Sequence, residues 1–168
     1  MYKNSFDLKG ECSKMGEHAE NTFAQLLSKR GTVRPATKSE QFTHVDFVLT
    51  TTDKKSIKYE VKARKRINRS DSQVNDDLIW VEWLNVSGNP GWLATGSDYI
   101  CFEREKDFLI VDRRKLHEWC LNQCDMSSLV QFASQALYKA YQRRGRKDLI
   151  SIIKTTDVEK LAEDVWAK

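Results

Sequence analysis

Residues 56–64 read Ser56-Ile57-Lys58-Tyr59-Glu60-Val61-Lys62-Ala63-Arg64, and this stretch decides the fold. The even positions carry Lys, Glu, Lys and Arg, whereas the odd positions carry Ile, Tyr, Val and Ala. Because side chains alternate between the two faces of a strand, this period of two predicts a strand with one buried face and one polar face. A carboxylate and an amine two residues apart then point to the same side of the sheet.

A second alternating segment lies just upstream, in residues 43–49. Its apolar positions, which we expect to be buried, are Val45, Phe47 and Leu49. Its polar positions, His44 and Asp46, turn to the other side. Residues 52–54, Thr-Asp-Lys, suit a short turn between the two strands.

The register of this hairpin follows from the position of the turn. A hairpin centred on Asp53 places Asp46 opposite Glu60 and His44 opposite Lys62. Directly opposed residues have Cβ atoms about 5 Å apart, and two carboxylates that close repel unless a cation lies between them. The sequence therefore predicts a divalent-metal site with a lysine on the same face. The rival interpretation is a solvated polar face with cross-paired charges.

A helix is predicted over residues 14–30, with Ser13 as its N-cap and Gly31 just beyond its end. Its apolar stripe contains Met15, Ala19, Phe23 and Leu26, widened by Leu27. Glu20 lies at the rim of this stripe, whereas Glu17 lies on the outer face. From the rim, Glu20 can lean over the sheet edge toward the two opposed carboxylates; the simpler alternative is a surface ion pair.

Apolar periodicity also assigns the remaining elements. We expect a short strand at 32–35, a mobile polar loop at 65–77, an interior strand at 78–86, a hairpin of strands 99–104 and 108–112, helices at 113–123 and 128–143, a strand at 149–153 and a closing helix at 157–167. In that last helix, Val158, Leu161, Ala162 and Val165 would point inward. This order predicts an α/β or α+β fold, one domain over residues 1–168, built around a mixed sheet.

Composition limits the broad class of the protein. No apolar run is long enough to span a bilayer, and the first residues lead to no apolar signal segment. The four cysteines lack the pattern of a disulfide scaffold, which favours a reducing cytoplasm. The net charge of +4 is modest, but eight basic residues lie between Lys54 and Arg69. Such a cluster suits phosphate contact, although a solvated edge strand also carries lysines.

Asp46, followed after thirteen residues by Glu60-Val61-Lys62, resembles the motif of the PD-(D/E)XK nuclease superfamily. The segment Gly16-Glu17-His18-Ala19-Glu20, with Gly31 eleven residues after Glu20, resembles the first helix of archaeal-type Holliday junction resolvases. Residues 60–65 are similar to the central strand of the same family. The resemblance covers residues 13–66. Val45 stands where the motif often has proline, and residues 67–168 carry no subfamily motif.

This resemblance implies a restriction-endonuclease-like mixed β-sheet flanked by helices, and a metal-dependent phosphodiesterase. Asp46, Glu60, the Val61 carbonyl and Glu20 would hold Mg²⁺, with Mn²⁺ as a substitute, because hard oxygen ligands suit Mg²⁺. Lys62 would position the attacking water or stabilise the developing charge. DNA would be the partner and substrate, cleavage would leave a 5′-phosphate, and the resolvases of this type work as homodimers, although the sequence shows no dimer face.

Basic residues near the motif and near residue 145 are candidates for DNA binding. They are Lys58, Arg64, Lys65, Arg66, Arg69, Arg143, Arg144 and Arg146. Residues 143–147 suit the C-terminus of a helix equally well, where cations are favourable.

Several alternatives stay open on the sequence. The chain would also suit a non-catalytic nucleic-acid-binding module with a vestigial nuclease site, or a structural subunit of a larger complex. His44 can touch substrate or metal, but an exposed strand histidine is the simpler interpretation. Core packing explains His117, Cys120 and Cys124 better than zinc, since no Cys-x-x-Cys pair exists. Trp92, in a Gly-rich loop, is the tryptophan best placed to stack on a base.

Overall fold

The computed structural model describes residues 10–67 and 71–168, and within them ten strands form two sheets accompanied by four α-helices. This confirms the predicted α+β class. The strands are divided between a six-stranded and a four-stranded sheet, rather than gathered in the one mixed sheet that we expected.

The larger sheet carries the motif. In spatial order it contains β1 (Thr32–Pro35), β2 (Phe47–Thr50), β3 (Ser56–Lys62), β5 (Tyr99–Glu103), β6 (Asp107–Asp112) and β10 (Ala162–Ala167). β3 pairs with β5 in parallel, and every other neighbouring pair is antiparallel. The predicted hairpin of β5 and β6 is confirmed. β3 therefore lies inside the sheet, between β2 and β5.

The smaller sheet contains, in spatial order, β4 (Leu78–Leu84), β9 (Leu149–Lys154), β8 (Lys139–Tyr141) and β7 (Asp125–Val130). The two apolar faces of β4 predict an interior strand. In the structure it is an edge strand that pairs with β9. One of its faces packs in the core: Val81 is fully buried, and Ile79 and Trp83 pack against the same core.

The helices are α1 (Glu11–Ser28), α2 (Lys38–Gln41), α3 (Arg113–Gln123) and α4 (Thr155–Leu161), with short 3₁₀ turns at Trp92–Ala94 and Ala133–Gln135. No helix within the described ranges is long and apolar enough to cross a membrane.

One face of the larger sheet is covered by α1. The helix begins at Glu11, after Gly10 in the left-handed conformation (φ 66°), so Ser13 lies inside the helix and is not its N-cap. The predicted apolar stripe is confirmed at its centre. Its buried members Ala19, Phe23, Leu26 and Leu27 pack on Tyr59 and Val61 of β3 and on Trp166 of β10. The odd positions of β3 thus face the helix, as their apolar character predicts.

The opposite face of the larger sheet forms a second core. Ile100 and Phe102 of β5 pack there with α3, α4 and β4. Glu60 and Lys62 are the register partners of Ile100 and Phe102 across the parallel pair, so they lie on this second face. Two charged residues are therefore placed beside a large apolar core.

The helix predicted over 128–143 does not form. The segment instead contains β7, the 3₁₀ turn at Ala133–Gln135 and β8. Its helical apolar spacing is misleading, because Leu129 and Phe132 are more than half exposed while Ala136 and Ala140 are buried. Pairing of β8 with β7 and β9 satisfies the backbone in place of helical hydrogen bonds.

The predicted closing helix at 157–167 is correct only in its first half. α4 ends at Leu161, and the chain continues as β10, which pairs with β6. Val165, predicted to point inward, is half exposed, whereas Trp166 is buried and its ring stacks on Phe23. The free edge of β6 is a better partner for this segment than a further helical turn.

Candidate active site

The register of the β2–β3 hairpin is the one that the sequence predicts. Phe47 pairs with Tyr59, and Leu49 pairs with Ile57. The ladder ends at this Phe47–Tyr59 pair. The Asp46 N–H donates to the Tyr59 carbonyl at 2.8 Å, one residue out of that register, so Asp46 lies near Glu60 at the end of the ladder but is not the directly opposed partner that we predicted. β2 and β3 diverge beyond this point, so the two carboxylates lie where the strands separate.

The strand predicted over 43–49 begins only at Phe47. The Thr43 and Val45 N–H groups both donate to the Glu40 carbonyl, and His44 adopts a left-handed conformation with φ 54°. Val45 consequently packs with Ala36 and Val48, not opposite Val61. The missed signal is a capping box, in which Thr37 and Glu40 start a short helix ahead of the strand.

Asp46, Glu60 and Lys62 are brought together by the end of this hairpin. The Val61 N–H, freed from strand pairing, donates to Asp46 Oδ2 at 2.7 Å. Lys62 Nζ forms an ion pair with Glu60 Oε1. The N–H and C=O of one strand residue point to the same edge, so the Val61 carbonyl faces the same gap.

Burial makes these charges costly. Glu60 is only 5% exposed. Burial and then the Glu60 charge raise the pKa of Asp46 from its ordinary 3.8 to about 8. Burial would lower the pKa of Lys62, but the charge and hydrogen bond of Glu60 outweigh that effect and its pKa is raised. The raised pKa favours the protonated form of Asp46 in the metal-free protein.

Glu20 joins Asp46 and Glu60, with whose charges it interacts, and Glu17 lies on the outer face. Glu20 is half-buried, and its pKa is raised by burial and then by the Glu60 charge. Glu17 is exposed on the outer face of α1. This is the arrangement that the helical rows predict. We call Glu20, Asp46 and Glu60 the acidic cluster.

The donor set of the acidic cluster suits a hard divalent cation. Three carboxylates share one ammonium group, so two negative charges are left when all are ionised. A proton on Asp46 neutralises one of them, whereas a divalent cation would neutralise both. Within residues 10–67 and 71–168, however, no three His, Cys, Asp or Glu side chains already converge with metal-ligand spacing. Metal binding would require the carboxylates to close and Lys62 to release Glu60 Oε1.

His44 is placed differently from the sequence expectation of an exposed strand residue opposite Lys62. In the structure it precedes the strand, its Nδ1 lies 3.9 Å from Glu60 Oε1, and its Nε2 is buried with no hydrogen-bond partner among the described residues. No motif marks this position, because it depends on the left-handed turn at His44 itself.

The basic residues predicted to bind DNA fall into two groups. Arg64 binds Asp76 through two hydrogen bonds of 2.7 and 2.6 Å, and Arg66 pairs with Glu11 at 3.3 Å. Lys65 is exposed as a residue, although burial of its ammonium group lowers its pKa, and Lys58 is half-buried in β3 on the face of Lys62. Arg69 lies outside the described residues. Lys58 and Lys65 are thus the clearest candidates near the acidic cluster.

The basic segment at 143–147 does not end a helix; it forms the turn between β8 and β9. Arg143 forms an ion pair with the fully buried Asp148, so its first role is structural. Arg144 is exposed and Arg146 is half-buried in the same turn. A solvated turn with one structural arginine is a weaker DNA-binding candidate than the sequence indicates.

Two other sequence candidates are core residues. Trp92 is buried, and its ring centre lies 5.3 Å from Lys62 Nζ. The ring therefore packs near the lysine and leaves no free face on which a base could stack. Cys120 and Cys124 are buried in the core around α3, which agrees with packing.

A cavity of about 60 Å³ opens beside Lys62 and Trp92. Thr155 also lines it, and the Thr155 Oγ1 is buried with no hydrogen-bond partner in the part of the chain that the structure describes.

Comparison of the chain with protein-family models, curated proteins and solved structures gave no match. The resemblance to the nuclease superfamily therefore rests on the motif residues alone.

Proposed function

We propose that this chain is a divalent-metal-dependent deoxyribonuclease, acting as an endonuclease. The observation that carries the proposal is the acidic cluster, in which three carboxylates face one ammonium at the point where β2 and β3 diverge. A fold gains nothing in stability from burying surplus like charges, whereas a phosphodiesterase needs them to hold a cation.

The proposal assigns a task to each residue. Asp46, Glu60, Glu20 and the Val61 carbonyl would hold Mg²⁺ or Mn²⁺. The metal, when bound, polarises the scissile phosphate and lowers the pKa of a bound water. Released from Glu60, Lys62 would orient that water or stabilise charge on the phosphate oxygens. Hydrolysis would leave a 5′-phosphate, as the resemblance implies.

Basic side chains around the acidic cluster would bind the phosphates of the DNA substrate. Lys58 and Lys65 would contact phosphates next to the cleavage site, and Arg64 and Arg66 would have to exchange their acidic partners for phosphate. A homodimer and a cytoplasmic location belong to the same proposal. The four cysteines Cys12, Cys101, Cys120 and Cys124 are all free thiols, which supports a reducing compartment.

The test is a cleavage panel. Supercoiled, linear, single-stranded and branched DNA are incubated with the protein and Mg²⁺ or Mn²⁺, with and without EDTA. We expect cleavage of at least one form, its loss in EDTA and its loss in Asp46→Asn. Glu20→Gln should also lose most cleavage, and Glu17→Gln is its matched control, because Glu17 is exposed on the same helix. Absence of cleavage of every form with both metals would overturn the proposal.

A non-catalytic nucleic-acid-binding module is the second candidate. It is favoured by the ion pair of Lys62 with Glu60, which already neutralises one carboxylate without a metal. Calorimetric titration with Mn²⁺ separates the two functions. The nuclease requires binding that disappears in Asp46→Asn, whereas the binding module requires DNA affinity with no metal binding at the cluster.

A further inference from the structure

The cavity of about 60 Å³ beside Lys62 lies between residues of the two sheets. Its walls come from the segment that follows β3, from the end of β5 and from the start of β4. Because β3 and β5 are parallel neighbours, both present their carboxyl ends to the cavity, and ligand sites are common at such ends. The cavity has room for a few water molecules or for one small group such as a phosphate.

Thr155 lines this cavity with a hydroxyl group that the fold does not use. The residue is only 4% exposed, and its Oγ1 forms no hydrogen bond within residues 10–67 and 71–168. A buried hydroxyl without a partner is destabilising, because the hydrogen bonds that it made to water are not replaced. Valine would fill the same space without that cost, so the hydroxyl points to a ligand that accepts its hydrogen bond.

The lining of the cavity is also rich in positive charge. It contains four cationic and two acidic side chains, which are Lys62, Arg64, Lys65, Arg104, Asp76 and Glu103. Both of these carboxylates are already bound, Asp76 by Arg64 and Glu103 by Lys168. The charge that lines the cavity therefore favours an anion over a cation.

Lys65 is the cation of this lining that the fold leaves unpaired. It forms no ion pair with any described residue, whereas the other three lining cations each bind a carboxylate. Burial of its ammonium group and then the charge of Lys62 lower the pKa of Lys65. Two ammonium groups that interact in this way repel each other, and an anion beside both would remove the repulsion.

A phosphate group matches these donors. The ammonium groups only donate hydrogen bonds, so a ligand that uses them and the Thr155 hydroxyl together must offer several acceptor oxygens and negative charge. Phosphate carries both on one small group. A small cavity admits a terminal or free phosphate more readily than a phosphate within a nucleic-acid chain, because two sugars would have to follow the latter.

We infer that this cavity binds a phosphate group, either free or at the end of a DNA strand, through the Thr155 hydroxyl and the ammonium groups of Lys65 and Lys62. Lys62 also binds Glu60, so the phosphate would lie beside the acidic cluster. The inference goes beyond the proposed nuclease function, because it assigns a second site that requires neither a metal nor cleavage.

The experiment is calorimetric titration of the full chain in EDTA at constant ionic strength. The ligands are inorganic phosphate, acetate as the anion control, and a short single-stranded DNA with a 5′-phosphate, a 3′-phosphate or no terminal phosphate. We expect phosphate to bind and acetate not to bind. A preference of about tenfold or more for one phosphorylated DNA would identify a strand end as the source of the group, whereas equal affinities for the three DNAs would identify free phosphate.

Thr155→Val removes the hydroxyl and keeps the shape of the side chain. It should weaken phosphate binding roughly tenfold and raise the melting temperature of the ligand-free protein, because an unpartnered buried group is lost. Thr155→Ser should keep the binding. Lys65→Gln should weaken it roughly tenfold, since one charged donor is removed. Thr156→Val is the matched control, because Thr156 is the next residue and is exposed.

Three results would each overturn the inference. The first is that neither phosphate nor a terminal phosphate on DNA adds to binding. The second is wild-type phosphate affinity in folded Thr155→Val, and the third is a lower melting temperature of ligand-free Thr155→Val, which would make the hydroxyl structural. None of them affects the nuclease proposal, which the cleavage panel tests separately. Absence of metal-dependent cleavage with phosphate binding retained would overturn the nuclease proposal alone.

Discussion

Asp148 and the acidic cluster are two sets of buried carboxylates with different charge balances. Asp148 is fully buried, and the Arg143 guanidinium and backbone N–H both bind it. One carboxylate there meets one cation. In the acidic cluster, Glu20, Asp46 and Glu60 share Lys62, and the pKa of Asp46 rises to about 8. The first set is a closed structural pair, whereas the second needs a proton or a cation to complete it.

The largest contrast should come from neutralising one carboxylate in each set. Asp46→Asn removes a proposed metal ligand, so cleavage should fall by more than the roughly 10²–10³-fold expected for losing one transition-state contact. Its fold should be kept, because an asparagine oxygen can still accept the Val61 N–H. Cleavage rates and circular dichroism measure the two effects.

Asp148→Asn should do the opposite. It should lower the free energy of unfolding by about 1–3 kcal/mol. This is less than for a fully enclosed ion pair, because the Arg143 side chain is 35% exposed. Cleavage per folded molecule should stay unchanged. Urea denaturation and cleavage assays check this. If Asp148→Asn abolished cleavage in a folded protein, the division into a structural and a catalytic set would be wrong.

Lys62→Ala tests the cation of the acidic cluster. We expect cleavage to drop by roughly 10²–10³-fold while DNA affinity stays within about twofold, since one lysine contributes little to the whole phosphate contact. Lys65→Ala is the comparison: it should weaken binding and reduce the salt slope more than it slows the chemical step. Single-turnover cleavage and salt-dependent binding separate the two. Near-normal cleavage by Lys62→Ala would remove Lys62 from the mechanism.

The pH dependence of the acidic cluster has a defined sign. The folded pKa of Asp46 is raised, so the folded state binds this proton more tightly than the unfolded state between about pH 4 and pH 8. The stability that Asp46 contributes is therefore present at low pH and is lost as pH rises toward 8. Metal-free wild type should lose stability relative to Asp46→Asn over this range, as followed by urea denaturation.

Metal affinity should change in the opposite direction. Because the Asp46 proton must leave before a cation binds, Mn²⁺ affinity should weaken by up to about tenfold for each pH unit below 8. Isothermal titration at pH 6, 7 and 8 measures this, with Asp46→Asn as the control. An affinity independent of pH would show that the cluster carries no proton to displace.

The smallest contrast lies within α1. Glu20→Gln should weaken Mn²⁺ binding and remove most cleavage, whereas Glu17→Gln should change either by less than about twofold, because Glu17 is exposed. Both variants should stay folded. If Glu17→Gln were the damaging one, the face of α1 that serves the acidic cluster would be misassigned by roughly 60–100° of helix rotation.

The parts of the site that are predictable from sequence depend on local order. Alternation in residues 56–62 and the turn at Asp53 determine which residues of β2 and β3 are opposed. The predicted pairs of Phe47 with Tyr59 and of Leu49 with Ile57 are observed, and they bring Asp46 to the end of the ladder near Glu60. The period of α1 likewise separates Glu20 from Glu17. In both cases the repeat of one element decides which way a side chain points.

The predictions that fail depend on what lies next to a segment in space. Residues 128–143 and 162–167 have helical apolar spacing, but free strand edges pair with them and they become β7, β8 and β10. β4 has two apolar faces yet lies at a sheet edge, pairing with β9, while the face of Ile79, Val81 and Trp83 packs in the core. Local periodicity carries no information about such partners.

The sequence by itself therefore determined the α+β class, the β2–β3 register and the members of the acidic cluster, since each follows from spacing along one or two adjacent elements. Only the tertiary structure decided that Arg64 and Arg143 are held by acidic partners, that His44 turns toward Glu60 and that a cavity opens beside Lys62. Those placements depend on how loops and turns fold, including one left-handed turn at His44. Burial, which raises the pKa of Asp46, exists only once the sheets have packed.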